Sequence, residues 1–167
     1  MNEAVRVFRE LQAEGVIRQF ALGGAAALVF YTEPVLTYDL DFFVIVDAPP
    51  GQVFSMQPLY EHLKRKGCTI AGEQVMIGGA PVQVLIAYNP LVEEAVREAC
   101  ELPFNGEHVP VMTPEYLIAI ALQTSRYKDR ERVHLLLEQA AIDEAKLSDI
   151  LTRHGLIEAW ETIRRKQ

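Results

Sequence analysis

The sequence predicts an α+β protein, a small mixed β-sheet flanked by helices with a C-terminal helical part. Three observations predict it. Over residues 1–112 the apolar pattern switches repeatedly between helical and alternating spacing. Gly78-Gly79, set between two apolar runs, is a two-residue hairpin signal. From residue 113 onward only helical spacing recurs. The expected division is an α/β core over 1–112 and a helical region over 113–167 packed on it.

The elements follow in order. Val5, Phe8 and Leu11 recur at helical spacing and predict an amphipathic helix from Asn2 to Glu14, ending near Gly15. Arg18 to Leu22 reads as a short strand, Gly23-Gly24 breaks it, and Ala25 to Tyr31 reads as a buried helix. Thr37 to Val46 is a run of strand formers. After a Pro49-Pro50-Gly51 loop, Val53, Met56, Tyr60 and Leu63 mark a second amphipathic helix. Val75–Ile77 and Val82–Ile86 flank the glycine hairpin. Asn89 caps and Pro90 opens a helix expected to reach Glu101, and His108–Met112 is a strand. Helices are then expected over Pro114–Thr124, Tyr127–Gln139, Asp143–Arg153 and Leu156–Arg165.

Composition narrows the function. Of 167 residues, half are hydrophobic and 23% charged, which reads as soluble and globular. A net charge of −7 argues against a broad grip on a phosphate backbone, although it leaves room for a local basic pocket. Cys68 and Cys100 have no metal-ligand spacing and read as reduced, partly buried thiols. Glu3, Arg6, Arg9 and Glu10 stand where a signal peptide would be apolar, and the apolar stretch Phe20–Tyr31 is too short for a bilayer. These features predict a cytoplasmic protein with no membrane partner.

Asp39-Leu40-Asp41 carries the chemistry. On a strand, Asp39 and Asp41 share one face while Leu40, Phe42 and Val44 point into a core. Like charges about 4 Å apart repel by about 4 kcal/mol at an effective dielectric of about 20. A proton on one carboxyl or a divalent cation between them relieves this. Upstream, Gly23-Gly24 lies between a strand and a helix, where backbone N–H groups can approach an anion. A phosphate cradle beside a carboxylate pair suits phosphoryl or nucleotidyl transfer.

Leu22-Gly23-Gly24 followed by Thr37-x-Asp39-Leu40-Asp41 resembles the signature of the DNA polymerase beta-like nucleotidyltransferase superfamily. Pro114-Glu115-x-Leu117 and Leu122-x-x-x-Arg126-x-Lys128-Asp129 resemble a second signature, that of its bacterial abortive-infection-type toxin branch. The resemblance implies Mg²⁺- (or Mn²⁺-) dependent transfer of a nucleoside monophosphate from an NTP. Asp39 and Asp41 would hold the metal, and Gly23, Gly24, Thr37 and Arg126 would belong to the nucleotide site. Lys128 would contact phosphate, and Asp129 would orient it or shape the wall. The acceptor would be a protein, an RNA or a small molecule, and a cognate antitoxin is an expected partner. Three departures stand out. The position of the superfamily's third carboxylate is Gln83, Val35 replaces a common arginine, and Arg132 replaces a common acid three residues after Asp129. A catalytically impaired nucleotide-binding or interaction module is therefore the alternative.

Plainer readings stand beside these. Asp39 and Asp41 also fit solvated charges on an edge strand, and Gly23-Gly24 a mere tight turn. Arg126, Lys128, Arg130 and Arg132 fit a solvated face, as do Glu93, Glu94 and Glu98. Tyr38 and Tyr127 read as packing residues that could also stack on a base. The four histidines show no ligand spacing. Leu135, Leu136, Leu147, Ile150 and Leu151 offer apolar faces for a homodimer, and the Arg164-Arg165-Lys166 end offers a basic patch.

Overall fold

Alternating apolar runs form seven strands in one sheet: β1 (Gln19–Gly23), β2 (Leu40–Ile45), β3 (Thr69–Ala71), β4 (Gln74–Ile77), β5 (Ala80–Ile86), β6 (Cys100–Phe104) and β7 (Glu107–Val111). The computed structural model describes residues 1–47 and 55–165. Pro49-Pro50-Gly51, Val53 and Lys166 lie outside the described residues. The strand order is β3-β4-β5-β2-β1-β7-β6, with β2 in the middle. The β2–β5 and β1–β7 pairs are parallel and the others antiparallel, so the sheet is mixed as expected.

Both faces of β2 are covered. On one, Phe42 and Val44 are fully buried, and Phe42 stacks on Phe8 with ring centroids 4.6 Å apart. Phe8 belongs to α1 (Asn2–Ala13), whose apolar stripe is buried as its spacing predicts. Phe43 and Ile45 on the other face are buried too. A central strand covered on both sides rules out the edge-strand reading of the Asp pair.

Further helices are α2 (Gly24–Ala27), α3 (Gln57–Arg65), α4 (Pro90–Arg97), α5 (Pro114–Thr124), α6 (Tyr127–Gln139), α7 (Glu144–Arg153) and α8 (Ile157–Arg164). Local caps explain several starts. The Asn89 side chain accepts from the N–H of Val92, and Asp143 from that of Lys146. Helix α5 is apolar almost all round because α4, α6, α7 and α8 surround it. Glu115 within it is buried, yet paired. Its carboxylate accepts from the Thr113 hydroxyl at 2.7 Å and from the N–H of Asp143 at 2.9 Å, tying α5 to the start of α7.

Several expectations need correction. The helix after Asn89 stops at Arg97, short of Glu101, because Cys100–Phe104 pairs with β7 as an edge strand. Asn105 and Gly106, both with positive φ, close that hairpin. The buried helix expected over Ala25–Tyr31 is one α turn followed by a 3₁₀ turn over Leu28–Phe30. The strand begins at Leu40 rather than Thr37. Of the apolar residues offered for a homodimer, Leu136, Leu147, Ile150 and Leu151 are buried within the chain itself, and Leu135 is half-buried. Tyr38 and Tyr127 are about four-fifths exposed and pack against little. Cys100 is exposed, and only Cys68 is half-buried. No described helix is long and apolar enough to cross a membrane.

Candidate functional site

The sheet register lines up one row of residues across four strands. Gly23 on β1 stands opposite Asp41 on β2, Asp41 beside Gln83 on β5, and Gln83 opposite Gln74 on β4. Register partners project to the same face, so this row floors a single region. Helices α5 and α6 cover that face and leave a cavity of about 420 Å³ between them and the sheet.

Gly24, Asp39, Asp41 and Gln83 line the sheet side of the cavity, and Arg126, Lys128, Asp129 and Arg132 line the helix side. Leu28, Phe43, Leu85, Met112, Leu117 and Ile120 supply an apolar portion, with Tyr88, 60% exposed, also on the wall. Residues some 85 positions apart thus meet in one place. Gly23 and Thr37 do not line the cavity. A Cβ on Gly23 would lie 2.7 Å from the Phe43 ring, so its smallness serves packing. The Thr37 hydroxyl donates to the backbone carbonyl of Asp39 at 3.1 Å, fixing the turn that leads into β2.

Gly24 has the stricter requirement. Its φ is +59°, and a Cβ there would come within 1.8 Å of Asp41 Oδ2. The Asp41 carboxylate is seated directly against the glycine. Burial first, and then the charge on Asp39, push the Asp41 carboxyl up to about 6, while Arg132 and Arg126 pull it down. Burial and a like-charged neighbour both disfavour the ionised form of Asp41. Asp39 sits just before β2, and its Oδ2 accepts a hydrogen bond from Gln74 Nε2 at 3.3 Å.

Asp129 is buried and fully engaged. Its carboxylate accepts from the Thr124 hydroxyl at 2.7 Å, the N–H of Arg126 at 3.2 Å and Arg132 Nη1 at 3.1 Å. It therefore holds the α5–α6 junction and aims Arg132, while Lys128 and Arg126 stay exposed on the rim. Arg130 faces a separate, smaller cavity. Val35 does not reach the site.

The donor set fits a hard divalent cation. Mg²⁺ is held by one or two carboxylates and completes its shell with water and substrate phosphates. Asp39 and Asp41 offer that number, and no group of three His, Cys, Asp or Glu converges among the described residues. The one-turn α2 contributes little helix dipole, so the guanidinium and ammonium groups are the main attraction for an anion.

The sequence did not assign Arg132 and Gln74 to the site, though each had a signal. Arg132 stands one helical turn after Asp129 and so shares its face. Gln74 follows from counting outward from the Gly78-Gly79 turn, which pairs Ile77 with Ala80 and hence Gln74 with Gln83. Glu94, read as a solvated charge, is instead tied to Tyr116, Arg153 and His154 at 2.6–2.8 Å.

No protein-family model matches this chain, and no curated protein matches it. Solved structures that share the architecture include a nucleotidyltransferase-like antigenic protein from Paracoccidioides brasiliensis. It is 14% identical over 96% of this chain and 90% of that one, with a TM-score of 0.58. Another is the antibiotic-resistance factor ANT(2'')-Ia in solution, 15% identical over 98% of each chain, with a TM-score of 0.52. At such identities the agreement is one of fold, and the fold is nucleotidyltransferase-like.

Proposed function

We propose that this chain binds a nucleoside triphosphate with Mg²⁺ or Mn²⁺ in the 420 Å³ cavity and transfers the nucleoside monophosphate to a hydroxyl acceptor. The observation that carries the reading is the convergence of Gly24, Asp39 and Asp41 with Arg126, Lys128 and Arg132 on one cavity. Asp39 and Asp41 hold the cation, which supplies charge neutralisation for the phosphates and the departing pyrophosphate. Lys128, Arg126 and Arg132 grip phosphate oxygens, Arg132 in the orientation that Asp129 sets. Gly24 leaves room for the Asp41 carboxylate and for phosphate beside it. In the transfer an acceptor hydroxyl oxygen bonds to the α-phosphorus, the bond from that phosphorus to the pyrophosphate oxygen breaks and pyrophosphate leaves, and the hydroxyl proton passes to solvent water. A protein, an RNA or a small molecule can offer that oxygen, and membership of the toxin-type branch belongs to the same proposal.

One observation favours a second reading. Gln83 stands beside Asp41 on the neighbouring strand, where a third carboxylate would take the acceptor's proton. A carboxamide accepts no proton, and loss of a general base lowers a rate by about 10² to 10⁴. On this reading the site binds nucleotide without appreciable turnover. Incubation with each α-³²P NTP, Mg²⁺ and RNA, protein or small-molecule acceptors, beside Asp39→Ala/Asp41→Ala, separates the two. Label transfer by the native chain alone supports the enzyme, and Mg²⁺-dependent binding without transfer supports the module. A native chain that binds no NTP refutes both.

A further inference from the structure

The two carboxylates of the site are supported differently. Asp41 lies within β2, its carboxylate wedged against Gly24 and facing Arg132 and Arg126. Asp39 stands one residue before the strand, outside the ladder that would fix its backbone. The Thr37 hydroxyl holds its carbonyl. Among the described residues, Gln74 is the side chain that donates to its carboxylate. Gln74 does not line the cavity; it reaches Asp39 from the side, from the strand beyond Gln83.

We infer that Gln74 is a positioning residue that sets the Asp39 carboxylate for cation binding, an inference that rests on the reading proposed above. The chemistry follows from the amide. A carboxamide N–H donates to a carboxylate oxygen without adding charge, so it orients Asp39 and leaves the pair's negative charge intact for a cation. An acid at position 74 would repel Asp39, and a lysine or arginine would neutralise it. One hydrogen bond to Oδ2 leaves the carboxylate further lone pairs for a cation. A bond of 3.3 Å is at the long end for N–H···O, so its effect is on orientation more than on stability. Groups that orient metal ligands typically matter by about 10- to 100-fold in metal affinity.

The test is Mn²⁺ binding by the full chain, followed by electron paramagnetic resonance with a non-hydrolysable NTP analogue present. Gln74→Met keeps the length of the side chain but has no N–H, and Gln74→Asn keeps the amide but cannot reach. Both should weaken Mn²⁺ binding by about 10- to 100-fold. The melting temperature in EDTA should stay at the native value. Native Mn²⁺ affinity in either folded variant overturns the inference and leaves the nucleotidyltransferase reading standing. Failure of the native chain to bind Mn²⁺, or a native-like Asp39→Ala chain, overturns both.

Discussion

Replacing Gln83 with glutamate adds one negative charge to the site and almost no volume. Residue 83 and Asp41 are register partners on parallel neighbours, which stand about 4.8 Å apart. Two carboxylates at that separation, in an effective dielectric of about 20, repel by about 3 kcal/mol. Asp41 already lies high, at about 6, from burial and from Asp39, so the field there has little slack. Without a cation, Gln83→Glu should therefore lose roughly 2–3 kcal/mol near pH 8, where protonation gives little relief. For a chain of this size that is a fall in melting temperature of roughly 5–10 °C. Saturating Mn²⁺ should close most of the gap, because a third carboxylate then faces positive charge. Transfer from α-³²P NTP should rise by about 10² to 10⁴ if the missing base is what limits the native chain. The assays are thermal melting in EDTA and in Mn²⁺, with label transfer measured alongside. A variant that melts like the native chain in EDTA, and gains nothing from Mn²⁺, would refute the shared electrostatic field on which the site is built.

Gly24→Ala should abolish Mn²⁺-dependent nucleotide binding and lower the melting temperature, since its Cβ would collide with Asp41 Oδ2 at a φ of +59°. Adding Asp41→Ala should recover part of the stability and none of the binding, as a double-mutant cycle would show. Asp129→Asn should cost about 2–3 kcal/mol in urea unfolding, because a buried carboxylate with three donors would lose its charge opposite Arg132. Acid should weaken the α4–α7 contact. Hydrogen bonds from Arg153, then from His154 and Tyr116, hold the Glu94 carboxyl down to about 2 against a reference of 4.5. A depressed acid contributes its stability above the unfolded value and loses it as pH falls from 4.5 toward 2. At 28% exposure, solvent screening limits the contribution to about 1–2 kcal/mol. Native and Glu94→Gln chains should therefore converge in stability near pH 2.

What was legible in the sequence was local. Asn89-Pro90, Thr113-Pro114 and Asp143 mark helix starts because a cap or a proline acts within one turn. Asp41 lies on the expected strand, and Asp39, in the bend just before it, lines the same cavity, while Gly78-Gly79 specifies its hairpin. Asn105-Gly106 carried the same kind of signal, but the helical pattern running out of α4 masked the strand before it. The remainder depends on contacts between distant segments. Nothing local to Arg132 says that α6 folds over the sheet to face Asp41. Nor does the sequence separate Gly23 from Gly24, although one answers to the Phe43 ring and the other to the Asp41 carboxylate. Tyr38 and Tyr127 resemble core aromatics in composition, and only their surroundings show them to be exposed.

The balance of charge in the cavity bears on how an acidic chain could take a triphosphate. Three cationic side chains and three carboxylates line it, and Asp129 is already paired with Arg132. Asp39 and Asp41 would then repel any phosphate approaching Arg126 and Lys128. A divalent cation on the Asp pair would reverse that sign, leaving the neutralised pair beside the exposed Arg126 and Lys128, which could then meet phosphate oxygens. Conversely, on the proposed function the phosphates would complete the shell of a cation that two carboxylates hold only in part. Each ligand therefore removes the main obstacle to the other, and by linkage the gain is the same in either order of binding. Such mutual dependence needs no broad basic surface, so a net charge of −7 is compatible with the polyanion site proposed above.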